Sequence, residues 1–213
     1  MYELVEEASK VLRTPPPQFD FDNPSHDPKE ISDKLIELCE QYNGIGLSAN
    51  QVGLPVKCCV MMTTEGAKVF FNPELKAVSQ ETELEKEGCL SFPDIYVSIK
   101  RPKIVEVEYQ DVNGETHSEQ LQGLASRCIQ HEIDHLNGIV FLQRASRLKL
   151  ERALKARPKE KRKRLEYEAR LKIVEEIRRR AEEAKVHQEG ESVDVHSDEE
   201  PNTLPQDSSE STE

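Results

Sequence analysis

The sequence predicts an α+β fold: small antiparallel sheets packed around a central helix, followed by a helical extension and a disordered tail. Three observations carry that expectation. A helical apolar period begins near residue 31, short strand patterns fill the stretch from Val56 to Leu121, and a second helical pattern over Gly123 to Asn137 contains two histidines.

The elements follow in order. Residues 1–30 hold "TPPPQFDFDNPSHDP", a proline-rich arm with no helical period. Helix signals begin at Ser32, where Ile31, Leu35, Leu38 and Tyr42 fall at i, i+4, i+7 and i+11, and Gly44 ends the run. "VKCCVMM" (Val56 to Met62) and "KVFFNP" (Lys68 to Pro73) read as buried strands. "IVEVEYQ" alternates, with Val105, Val107 and Tyr109 on one face. Asn113-Gly114 marks a tight turn, so a polar return strand is expected up to Leu121. In the next helix, Leu124, Cys128, His131 and His135 share one side. After Ser146 the chain turns strongly basic, and Pro158 is expected to interrupt any helix there. A further helix is expected from Leu165, with Leu165, Ala169, Ile173, Ile177 and Ala181 as a stripe. Glu-to-basic pairs such as Glu175–Arg179 and Glu176–Arg180 support it at i, i+4. The expected organisation is therefore an arm (1–30), a catalytic core (31–146), a basic helical extension (147–186) and an acidic disordered tail (187–213).

Composition narrows the function classes. The 213 residues carry a formal net charge of −12, with basic residues concentrated in Arg144 to Arg180 and acidic ones after Ala181. No apolar run approaches the ~20 residues of a membrane span, and the start "MYELVEEASK" lacks the features of a secretory signal. A cytoplasmic location is expected, with a mature organellar form as the alternative. Five cysteines, two of them adjacent, do not form a disulfide framework and are expected as reduced thiols.

The chemistry is concentrated in "QHEIDHLNG", Gln130 to Gly138. His131 and His135 lie one helical turn apart, so both imidazoles can reach one ion, and Glu132 is placed to act on water at that ion. A zinc peptidase of the longer H-E-x-x-H-x-x-G-x-x-H pattern would need a third histidine, but this chain has Phe141 there. Glu151, in a basic stretch, is a weaker substitute. A better third ligand is Cys89 in "EGCLSFPD", where Gly88 permits close backbone approach, Pro93 is expected to close a loop, and a thiolate suits a soft or borderline metal.

Three ordered blocks then resemble the peptide deformylase family. They are Gly44-Ile45-Gly46-Leu47-Ser48-Ala49-Asn50-Gln51, Glu87-Gly88-Cys89-Leu90-Ser91 and Gln130-His131-Glu132-Ile133-Asp134-His135. The resemblance covers about residues 8 to 145, and its one departure inside a block is Ser48, where the family usually has alanine. It implies a hydrolase that removes the N-formyl group from formyl-methionyl nascent peptides. It also implies one divalent metal on Cys89, His131 and His135, with ferrous iron expected and zinc, nickel or cobalt as substitutes. Glu132 is implied as the acid–base group, and Gln51 with the backbone N–H of Leu90 as donors to the formyl oxygen. For the substrate, Leu124 and Cys128 would line a slot for methionine, and Arg127 would border the peptide. Ile45, Gly46 and Gly88 would pair with the peptide as an added strand. Asp134 is expected to support the fold. The basic segment 144–180 resembles an enlarged form of a ribosome-docking helix. The competing readings are an HExxH zinc peptidase and a noncatalytic RNA- or ribosome-binding protein. Phe141 argues against the first, and the intact Cys89, Glu132 and Gln51 against the second.

Overall fold

A computed structural model describes the backbone of residues 2–191 and the side chains as far as residue 183. The backbone between the arm and the last helix is the expected mixture of helices and antiparallel strands.

The arm is not featureless. Lys10–Arg13 forms a 3-10 turn, Leu12 and Phe19 are buried, and the Val5 N–H donates to the Gln51 carbonyl at 2.8 Å. The first helix, α1, spans Pro28–Gln41, four residues earlier than the expected start at Ser32. The reason is a cap. The Asp27 carboxylate accepts from the N–H groups of Lys29 and Glu30, and Pro28 needs no partner at the first helical position. The period itself is faithful, since Ile31, Leu35 and Leu38 are all buried.

Five strands form one antiparallel sheet in the order β1 (Gly46–Ser48), β2 (Cys58–Thr63), β3 (Gly66–Val78), β6 (Ile104–Gln110) and β7 (Thr116–Gln122). β3 extends five residues past the expected Pro73, and two register shifts against β6 accommodate that length. The second sheet is a hairpin of β4 (Thr82–Cys89) and β5 (Phe92–Pro102). This hairpin was not expected: Cys89 ends one strand and Pro93 lies in the other, so "EGCLSFPD" is a turn between strands and not a loop closed by proline. Its charged sequence, "TELEKEG", hides the strand because much of β4 faces solvent.

α2 (Gly123–Leu136) packs across the large sheet, with Ile129, Ile133 and Leu136 against Cys59, Met61, Phe70, Val105, Val107 and Leu121. A third cluster joins Leu12, Phe92, Ile95, Val97, Ile99, Val140, Phe141 and Ala153. All five cysteines are free thiols, and all but Cys89 are buried.

α3 spans Arg147–Glu191 and contains Pro158. The expected break is absent. Proline removes one helical hydrogen bond, but the helix is anchored on both sides of it. Ala153 is buried, Arg157 bonds to Glu7 and to the Pro93 carbonyl, and Arg164 forms a two-pronged ion pair with Asp94. The chain divides into two compact units, 1–164 and 165–213. In the second unit Ile173 and Ile177 of the expected stripe are exposed, and Glu176 pairs with both Arg179 and Arg180. The helix runs five residues into the stretch expected to be disordered, and the rest of that stretch, 192–213, lies outside the described residues. Among the described residues no helix is long and apolar enough to cross a membrane.

Candidate metal centre and active site

α2 is amphipathic in an unusual sense. One side carries the aliphatic residues that pack on the sheet, and the other carries polar groups that are also buried, because the β4–β5 hairpin and the segment after β1 cover them. His131 and His135 stand one turn apart with ring centres 4.9 Å from each other. The end of β4 brings Cys89 to them: its Sγ lies 3.1 Å from His135 Nε2, and the ligand atoms of Cys89, His131 and His135 all lie within 4.8 Å of one another.

The donor set fits a soft or borderline divalent ion, with two imidazoles and a thiol converging on one point. Its surroundings fit as well. His131 turns Nδ1 to the Glu87 carboxylate at 3.2 Å, which fixes the ring and leaves Nε2 for the cluster. The two histidines differ in how readily they hold a proton. Burial opposes a charge on His131, yet hydrogen bonds to Cys89 and Glu87 push its pKa up to about 10. His135 shows the opposite, held well below its ordinary value by burial and by the charges of His131 and Arg101.

Glu87 is the hub of a buried charge network. It accepts from Arg101 Nε at 2.7 Å and Arg101 Nη2 at 2.9 Å, and from Arg127 Nη1 at 2.5 Å. Burial works against its charge, but the bonds to His131 and Arg101 outweigh it and hold the carboxyl at about 2. Arg101 reaches Asp134 with its other nitrogen at 2.8 Å, and Arg144 closes on Asp134 from the far side. Asp134 thus ties the helix to β5 and to the chain beyond it.

Glu132 projects from α2 toward β1. Burial pushes its carboxyl above the ordinary value, against the pull of His131 and the Ser48 hydroxyl. Gly46 makes room for it: a Cβ there would lie 2.6 Å from Glu132 Oε1 and 2.7 Å from Cys128 Sγ. Gln51 accepts the Ser48 N–H at its Oε1, 2.9 Å away, so its NH2 group points the other way, to Ser91 Oγ at 3.1 Å and Cys89 Sγ at 3.5 Å.

Gln51, Glu87, Cys89, His131 and Glu132 line one cleft of about 430 Å³, together with Ile45, Gly46, Gly88, Leu90, Leu124, Arg127 and Cys128. Every site residue predicted from the sequence therefore lies at this place, His135 buried just behind its wall. Their surroundings differ in kind. Leu124 is 64% exposed at the mouth, Cys128 is buried and bonded to the Ile45 carbonyl at 3.4 Å, and the Arg127 guanidinium is held by Glu87, the Ile99 carbonyl and the Glu83 carbonyl. Arg127 therefore faces the protein more than a ligand. Phe141, at the place of a third histidine, is fully buried against His131 and Phe92 and is a core residue. Sequence reasoning missed the roles of Ser48, Glu87 and Ser91, and missed Tyr96 and Arg164 at the cleft wall. Glu87 was within reach, because it sits in the same block as Cys89; nothing local signals Arg164.

The sequence profile of the polypeptide deformylase family matches residues 1–151. The peptide deformylase of Thermotoga maritima is 44% identical over 118 residues, 55% of this chain and 72% of that protein. Among solved structures, the peptide deformylase of Synechococcus elongatus in complex with actinonin superposes with a TM-score of 0.66 at 35% identity, covering 74% of this chain and 86% of that one. A Met-Ala-Ser-bound peptide deformylase of Acinetobacter baumannii superposes with a TM-score of 0.63 at 28% identity, covering 67% and 97%.

Proposed function

Because the chain belongs to the polypeptide deformylase family, and so removes the formyl group from nascent formyl-methionyl peptides, we propose that the cleft beside α2 performs this hydrolysis with Glu132 as the proton-transfer group. The observation that carries the assignment is the convergence of Cys89, His131 and His135 within 4.8 Å beside the Glu132 carboxylate.

The family is metal-dependent, and Cys89, His131 and His135 are the residues that would hold the ion; ferrous iron is the expected occupant, with zinc, nickel or cobalt as substitutes. Bound there, such an ion supplies a Lewis acid that acidifies water and polarises a carbonyl. The chain's own groups do the rest. Glu132 takes a proton from the attacking water and delivers it to the departing amine nitrogen, a role suited to a carboxyl raised by burial. Gln51 turns its NH2 toward the Cys89 side of the cleft, where it donates to the formyl oxygen as negative charge develops, with the Leu90 N–H as second donor. Glu87 keeps the His131 ring in place, and Arg101 and Arg127 keep Glu87 charged. The peptide lies along Ile45, the start of β1 at Gly46, and Gly88, pairing as an added strand. Its methionine enters the wall made by Leu124 and Cys128. The Met-Ala-Ser peptide on the Acinetobacter relative supports a peptide of this kind in the cleft.

The test is Glu132→Gln. It should retain its metal and lose hydrolysis of formyl-Met-Ala-Ser by about 1,000-fold or more, whereas Cys89→Ser, His131→Ala and His135→Ala should each lose the metal. A glutamine variant that stays active assigns the proton transfer elsewhere.

The basic run Arg144 to Arg180 is proposed to dock on ribosomal RNA, because clustered lysines and arginines release counterions from phosphate. Chains ending after Arg164 should hydrolyse short formyl peptides as the full chain does, yet show weaker, less salt-sensitive sedimentation with ribosomes. Equal sedimentation removes residues beyond 164 from the anchor.

A further inference from the structure

We propose that Ser48 is a positioning residue for the reaction: its hydroxyl holds one oxygen of the Glu132 carboxylate and leaves the other to carry the proton. The inference rests on Glu132 as the proton-transfer group and goes beyond it by naming what orients that group.

Ser48 ends β1 and is fully buried. Its Oγ lies 2.5 Å from Glu132 Oε2 and 3.2 Å from the Glu132 carbonyl oxygen. A hydroxyl has one proton to give, and an ionised carboxylate is the stronger acceptor. The bond therefore runs from Ser48 to Oε2. The other oxygen, Oε1, lies against Gly46, at the cleft-lining edge of β1. The two carboxylate oxygens are thereby made unequal. Oε2 is occupied, and Oε1 accepts the proton of the attacking water and passes it to the amine nitrogen as the C–N bond breaks. Ser48 keeps its own proton throughout.

The same residue reaches a second participant. Its backbone N–H donates to Gln51 Oε1, which turns the Gln51 NH2 group toward Ser91 and Cys89. Any residue but proline at position 48 supplies that N–H. Only the hydroxyl depends on serine, so a substitution separates the two functions. An alanine keeps the Gln51 bond and releases Glu132, whose side chain then has more rotamers open to it.

The release should lower the fraction of enzyme with the carboxylate aimed, so kcat falls while substrate binding stays the same. For Ser48→Ala the expected loss is about tenfold in kcat for formyl-Met-Ala-Ser, with KM and metal content unchanged. Ser48→Cys is the control. A thiol fills nearly the same volume but is a weak donor, so it should behave like alanine. A crystal structure of Ser48→Ala should show the Glu132 carboxylate displaced or in more than one rotamer. The proposal is overturned if the alanine variant keeps full kcat, if cysteine restores it, which would make the residue a packing element, or if the loss tracks metal content or KM. These outcomes are separate from a failure of the Glu132 assignment, which is read from Glu132→Gln alone.

Discussion

Helices α2 and α3 are both rich in charged residues, yet they handle charge in opposite ways. In α2, Arg127, His131, Glu132 and Asp134 are all buried, and each is bonded to a partner from another part of the chain. In the second compact unit, the charges of α3 are exposed and pair along the same helix, as Glu176 does with Arg179 and Arg180. Water stabilises exposed charges whether or not they pair, so such pairs add little. A buried charge has only its partners, so each bond in the α2 network is needed to avoid an uncompensated ion. The difference explains where the chemistry sits: fixed carboxylates and imidazoles need the buried environment of α2, and a solvated helix cannot provide it.

The largest test of this contrast is Glu87→Ala. It takes the carboxylate from Arg127, leaving that cation only the Ile99 and Glu83 carbonyls, leaves Arg101 with Asp134 alone, and frees His131. A loss of about 3–5 kcal/mol is expected, read as a fall in the urea midpoint, together with weaker metal retention. A loss below about 1 kcal/mol would mean that the network is not acting as a unit.

A smaller effect is expected where α3 still belongs to the first unit. Asp94 is buried while its partner Arg164 is partly exposed. The Arg164 hydrogen bonds, opposed by burial, hold the Asp94 carboxyl below its ordinary value. A folded value below that of the unfolded chain, about 3.9, means that the pair stabilises the fold above that pH and ceases to do so as pH falls through the folded value. Asp94→Asn should therefore cost on the order of 1 kcal/mol at pH 7. The gap in Tm between variant and parent should close below about pH 4. A gap that stays constant down to pH 3 would show that the carboxylate charge is not what matters. Loss of the Arg164 anchor should also alter KM for formyl peptides, since both residues line the cleft.

The smallest effect is expected for Glu176→Gln. It removes two surface pairs, and neither Tm nor deformylation should change measurably. A clear fall in Tm would mean that the exposed face of α3 is covered by something in solution.

The sequence by itself determined helices α1 and α2, the β6–β7 hairpin and which motif residues meet at the cleft. Periodicity records which face of an element is buried, and so Ile31, Leu35, Val105 and Val107 were legible from spacing alone. The two histidines were legible because one helical turn places them together. Cys89, Gln51 and Leu90 were legible through the ordered blocks they sit in. The tertiary structure decided what local spacing cannot encode. β4 carried too much surface charge to read as a strand, and only its pairing with β5 made it one. Pro158 reads as a helix breaker, but anchors on either side keep α3 intact around it. The bonds that tune the site join residues far apart in the chain: 84 positions from Ser48 to Glu132, 44 from Glu87 to His131, 70 from Asp94 to Arg164. At such separations a polar side chain carries no mark of its partner. Packing of the hydrophobic layers brings the two together, and the cost of burying them alone then holds them in place.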